Sequence, residues 1–141
     1  MTRVLIVTAR IGAGHDLPAE LLADALRPHA DVTVVDSLDT GGAAIQAVAR
    51  AGLETVLRRA PWLFDAEYWL IARRPRTRRL FSALIATLGA RNLLAAIARE
   101  QPDVIVSTYP GSTEVLGRLR LQGRVDVPCA TAITDLAALR W

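Results

Sequence analysis

At 141 residues, 52% hydrophobic and 22% charged, the chain has the size and composition of one globular domain with its own core, which excludes a disordered or low-complexity chain. Its longest uncharged run, Leu80 to Ala90, is 11 residues, against the roughly 20 that a bilayer-spanning helix needs. A single cysteine, Cys129, allows neither an internal disulfide nor a paired-cysteine zinc site, and the net charge of +3 hides a basic bias in which all 17 cationic residues are Arg, crowded between Arg58 and Arg79.

Arg3 to Thr8 (RVLIVT) is a short, β-branched apolar run that predicts a fully buried strand; Arg10 cuts it off without a cleavage-like ending, so it is not read as a secretory leader, and a cytosolic chain is expected. A Gly-containing turn, Ala9 to Gly14, follows. Leu17, Leu21, Leu22 and Leu26 then recur at helical spacing, with Pro18 placed in the first turn and Pro28 as the stop. Asp31 to Asp36 (DVTVVD) is a second strand with a polar exit from Ser37 to Gly42. Ile45, Val48, Ala49, Leu53, Val56 and Leu57 make an apolar stripe opposite Arg50, Glu54 and Arg58, which predicts a one-sided surface helix. After Pro61 the chain turns aromatic and basic. Phe81, Leu84, Ile85 and Leu88 open a further helix that bends near Gly89, resumes to Arg99 and ends at Pro102. Asp103 to Ser107 is a third strand, Ser112 to Leu121 a short helix and Cys129 to Thr134 a fourth strand.

Strands alternating with helices call for an open, doubly wound parallel α/β sheet with helices on both faces. Ligands of such sheets bind outside the carboxyl ends of the strands, beside the reversal of strand order. Three loops leave those ends: Ala9 to His15, Thr108 to Ser112, and Asp135 onward. The first contains Gly12, Ala13, Gly14 and His15, in which two glycines permit close backbone approach and the start of the next helix offers unpaired N–H groups to an anion. A plain turn with a helix-capping His15 is the bland alternative. A dinucleotide-binding Rossmann module of an oxidoreductase is another; Asp36 suits its ribose-binding acid, but Leu17 stands where the third glycine belongs and would crowd helix against strand.

Three motifs in order, Ala9-Arg10-Ile11-Gly12-Ala13-Gly14-His15, Gln101 to Pro110 and Ile133-Thr134-Asp135, resemble the amino-terminal domain of the monogalactosyldiacylglycerol synthase family. That family includes diacylglycerol glucosyltransferases and is related to the glycosyltransferases of peptidoglycan precursors. The resemblance implies a Rossmann-like amino-terminal half of a two-domain GT-B fold, in which the first domain receives a lipid acceptor and the second binds the nucleotide-sugar. Residues 1–141 would be the acceptor-side domain, cut short before the donor-binding domain, which would have to act in cis or in trans; no permanently bound cofactor is expected, with a UDP-sugar as co-substrate. Two departures stand out: Arg10 replaces a commonly small residue, and Leu139-Arg140-Trp141 follows where a His and an aromatic are usual.

Within that resemblance His15 and Asp135 face the interdomain cleft as candidates for the general base, and Gly12, Ala13, Gly14, Thr108, Tyr109, Pro110 and Thr134 form the acceptor- or anion-binding loops. Imidazole titrates near neutral pH, which favours His15 as base and leaves Asp135 to orient it; a helix-capping role is the other reading of Asp135. The middle of the chain carries a second signal. Trp62, Phe64 and Trp69 precede Arg73, Arg74, Arg76, Arg78 and Arg79, five arginines in seven residues. Interfacial aromatics followed by Arg suit an anionic membrane surface on the inner face of the cell membrane, although a buried aromatic cluster with a solvated Arg face has the same pattern. No helix-turn-helix, zinc or RNA-recognition signature accompanies the arginines, so nucleic acid is not expected as a partner. A catalytically silent lipid-surface module is the third alternative.

Overall fold

The computed structural model describes residues 1–9, 13–37 and 89–133, together with Arg59 and Trp62. Four parallel strands, β1 (Arg3–Thr8), β2 (Asp31–Asp36), β3 (Val104–Ser107) and β4 (Cys129–Thr131), lie side by side in the order β2-β1-β3-β4. Among the described residues three helices pack on them: α1 (Ala13–Leu26), α2 (89–100) and α3 (Pro110–Leu121). The result is the open Rossmann-like α/β sheet expected from the alternation of strands and helices.

Residue alternation along β1 divides the core in two. Val4 and Ile6 point to one face, where they meet Ala19, Ala23 and Ala30, with Val32, Val34, Val104 and Val106 beside them. Leu5 and Val7 point to the other and meet Leu93 of α2 and Val115, Leu116 and Leu119 of α3. Thus α1 covers one face while α2 and α3 cover the other. This follows from handedness: the β1-to-β2 connection runs opposite to the β2-to-β3 and β3-to-β4 connections, so right-handed crossovers must place their helices on opposite faces.

The helix ends have local causes. Gln101, with φ 44°, takes the left-handed conformation that closes α2 just before Pro102. Gly123, with φ 65°, closes α3: its N–H bonds the carbonyl of Arg120 and the N–H of Arg124 that of Leu119. That is the Schellman pattern, for which glycine has no Cβ penalty. At the other end of α3, the residue before a proline is driven to extended backbone, and Tyr109 (φ −122°, ψ 129°) is the N-cap ahead of Pro110. The helix therefore starts at Pro110, two residues before the expected Ser112.

Four other expectations need correction. Leu17 and Leu21 are 58% and 60% exposed, and the face of α1 that meets the sheet is built on the fully buried Ala19 and Ala23, flanked by the partly buried Leu22 and Leu26. Small side chains let the helix lie close to Val4 and Ile6, so the stripe is rotated from the one the leucines alone suggest. Leu17 consequently does not crowd the sheet. Pro18 is the sixth residue of α1, not a first-turn residue, because Ala13 and Gly14 are already helical. β4 stops at Thr131 and not Thr134: Ala132 donates to the carbonyl of Ser107, the last residue of β3, beyond which β4 has no ladder partner. Asp103, expected as the first residue of the third strand, precedes β3 and instead accepts the Arg3 N–H at 2.7 Å.

The rotated stripe sets an expectation for unfolding in urea. Ala23→Leu should overpack the interface and lower stability by about 1–3 kcal/mol, whereas Leu21→Gln should change it by no more than about 0.5 kcal/mol. The reverse ranking would place the leucines in the core.

Candidate functional site

The carboxyl ends of β1 and β3 diverge at the reversal of strand order. Ser37 N–H donates to the carbonyl of Thr8 at 2.8 Å on one side of β1, and Thr108 N–H donates to that of Val7 at 3.0 Å on the other. Thr8 and Thr108 are both buried at this point. Beyond it α1 leaves towards one face of the sheet and α3 towards the other, which opens the crevice that ligands of doubly wound folds occupy.

The β3-to-α3 side of the crevice is braced by hydroxyls. The buried Ser107 Oγ donates to the Tyr109 carbonyl at 3.0 Å, and Thr113 Oγ1 lies 3.0 Å from Ser107 Oγ and 3.1 Å from the same carbonyl. Thr131 Oγ1, exposed at the end of β4, is 3.4 Å from Thr113 Oγ1. These contacts tie the last residues of β3 and β4 to the first turn of α3. Tyr109 provides no side-chain cap and Pro110 has no N–H, so among the described residues Gly111 and Ser112 begin a helix whose first backbone donors no cap side chain claims. Ser112 Oγ is buried and, among the described residues, lacks a hydrogen-bond partner. An uncapped helix start of this kind favours negative charge or a polar oxygen.

The Tyr109 ring folds back over that turn. A Cβ on Gly111 would come within 2.6 Å of Tyr109 Cε1 and 3.2 Å of Cζ, so the ring lies against the bare Gly111 backbone. Burial of the phenol raises its pKa above the usual 10.0.

Of the residues singled out in the sequence, Thr108, Tyr109 and Pro110 fall together at this loop. Ala13, Gly14 and His15 form the first three positions of α1, but their side chains lie outside the described residues, as do Gly12, Thr134 and Asp135. The structure therefore brings the β1 and β3 ends together without placing the two candidate bases. Trp62 is 66% exposed, while Phe64, Trp69, Arg73, Arg74, Arg76, Arg78 and Arg79 lie outside the described residues. Asp36 lines a separate cleft of about 430 Å³ between β2 and α2, along with Ser37, Asn92 and Arg99. Among the described residues no cluster of three His, Cys, Asp or Glu could hold a metal ion, and no helix is long and apolar enough to cross a membrane. Ser107, Thr113 and Thr131 were not expected as a bracing set, nor Gly111 as the seat of the Tyr109 ring. Hydroxyls flanking an extended Tyr-Pro-Gly turn were the available signal, but their proximity depends on the β3–β4 pairing.

Residues 15–141 match the family described as monogalactosyldiacylglycerol (MGDG) synthase. The chain belongs to the MGDG synthase family. That membership agrees with the Rossmann-like sheet and relates the chain to glycosyltransferases of galactolipid synthesis. No curated protein and no solved structure matches the chain.

The hydroxyl brace has a measurable weight. Ser107→Ala removes the donor to the Tyr109 carbonyl from a buried site and should cost about 1–3 kcal/mol in urea unfolding. Thr131→Ala, at the exposed end of the cluster, should change stability by about 0.5 kcal/mol or less.

Proposed function

We propose that this chain is the acceptor-side domain of a membrane-associated glycosyltransferase of the MGDG synthase family. In this reading, residues 1–141 work with a donor-binding domain supplied in cis or in trans, and a sugar passes from a nucleotide-sugar, a UDP-sugar, to the hydroxyl of a diacylglycerol-type lipid. The family match over residues 15–141 carries the reading. It is supported by the crevice at the ends of β1 and β3, where the Thr108-Tyr109-Pro110 loop meets the uncapped start of α3.

The transfer is an inverting single displacement. The lipid oxygen attacks the anomeric carbon, the bond from that carbon to the nucleotide phosphate breaks, and the nucleoside diphosphate leaves with the electron pair. The proton lost from the lipid hydroxyl goes to His15, which begins α1 at the carboxyl end of β1, or to Asp135 beyond β4; the two compete for the role of general base. Gly12, Ala13, Gly14, Thr108, Tyr109, Pro110 and Thr134 shape the acceptor pocket around that oxygen. No permanently bound cofactor is needed.

Docking on the inner, cytoplasmic face of the cell membrane is assigned to Trp62, Phe64 and Trp69, with Arg73, Arg74, Arg76, Arg78 and Arg79 on anionic headgroups. The exposure of Trp62 supports this, because a large aromatic left in water has apolar area to give to an interface. Replacing the five arginines by Gln should abolish most sedimentation with anionic vesicles, and wild-type binding should fall as salt rises. Equal sedimentation of the two proteins would remove the arginines from the docking surface.

The reaction itself is tested by supplying a donor-binding domain and measuring transfer from a labelled UDP-sugar to diacylglycerol. His15→Ala should lower kcat by roughly 100- to 10,000-fold with vesicle binding retained, and kcat and kcat/KM should fall together. A near-normal kcat would move the base to Asp135 or beyond, and a failure to transfer sugar at all by the paired wild-type domains would overturn the function.

A further inference from the structure

The Tyr109 ring and the Gly111 backbone occupy one place in the fold. Cε1, Cζ and Cδ1 of the ring lie 2.6, 3.2 and 3.3 Å from where a Gly111 Cβ would stand. Real Cβ atoms do not approach another heavy atom to the first of these distances, so any other residue at position 111 has to displace the ring. The ring can answer by turning about its own side-chain torsions. The backbone that carries it cannot follow: Tyr109 N–H lies 3.4 Å from Ser107 Oγ, and the Tyr109 carbonyl accepts from Ser107 Oγ and from the Thr113 N–H. The main chain is pinned, and the ring can lie where it does only with glycine at position 111. A Cβ on Gly117, in the same helix, would meet nothing within 4 Å, so that glycine serves as a built-in control.

We infer that Gly111 is a positioning residue that, by lacking a side chain, seats the Tyr109 ring over the first turn of α3 as a wall of the acceptor pocket and so sets which lipid the loop admits. This rests on the reading of the Thr108-Tyr109-Pro110 loop as part of the acceptor site. A purely structural glycine makes a different forecast. Gly111→Ala would then displace the ring but, like Gly117→Ala, leave lipid binding untouched.

The test uses the 141-residue chain with Tyr68→Phe, which leaves Tyr109 as its sole tyrosine. With ¹³C-labelled tyrosine, Gly111→Ala should shift the Tyr109 ring resonances and let the phenol titrate at lower pH as the ring loses its burial; Gly117→Ala should do neither. Retention on phosphatidylcholine vesicles with and without diacylglycerol gives the second readout. Gly111→Ala should weaken the diacylglycerol-dependent part about tenfold, and in a Tyr109→Ala background it should add nothing, since coupled residues are non-additive. Unmoved ring resonances, full diacylglycerol-dependent retention in Gly111→Ala, or additive effects of the two substitutions would each overturn the inference. A wild-type chain indifferent to diacylglycerol would instead overturn the acceptor reading, and the two failures are distinguishable because the ring resonances report on Gly111 without lipid.

Discussion

A parallel strand with neighbours on both edges and helices on both faces has no side left for water, and β1 is in that position. It pairs with β2 from Arg3 to Thr8 and with β3 from Val4 to Val7, while Leu5, Ile6 and Val7 are wholly buried. The unbroken apolar run from Val4 to Val7 meets this constraint, because both alternating faces enter a core. The rest of the arrangement follows from it. Chain leaving β1 in one direction and chain arriving for β3 in the other must cross on opposite faces, so the carboxyl end of β1 is the one place where the backbone parts. The crevice at Thr8 and Thr108 results from burying β1 and needs no element of its own.

The parting of the strands creates a polar problem beside an apolar core. Buried N–H and C=O groups at the strand ends have to be satisfied, and Ser37, Thr108 and Ala132 do so by extending the ladders one step past the strands. The Tyr109 carbonyl accepts the Thr113 N–H and, in addition, the hydroxyls of Ser107 and Thr113. These residues are therefore structural first. They also hold one wall of the crevice to a fixed backbone, which is what a group that must meet a reacting oxygen within hydrogen-bond distance requires.

The elements that were legible in the sequence are those whose signal is local. β1 and β2 coincide with RVLIVT and DVTVVD, since unbroken apolar or β-branched runs between polar ends have few other uses. The Tyr-Pro turn and the family resemblance were legible for the same reason. Features set by a distant partner were not. Leucine spacing placed Leu17 and Leu21 in the core, but alanines won that face because the sheet beneath is tightly packed with valines and isoleucine. CATAIT reads as a six-residue strand, yet β3 offers partners only as far as Ser107. The contact of Tyr109 with Gly111 depends on a ring rotamer, and no spacing rule encodes that.

The loop that enters α3 from β3 is held at several points. The start of α3 is tied by Ser107, Thr113 and, at its edge, Thr131, and Pro110 fixes its own φ. For the proposed transfer this bracing is useful in a specific way. A wall that selects the acceptor has to be in place before the lipid arrives, whereas a base has to come within reach of the hydroxyl only in the reacting complex. The braced β3-to-α3 loop suits the first task.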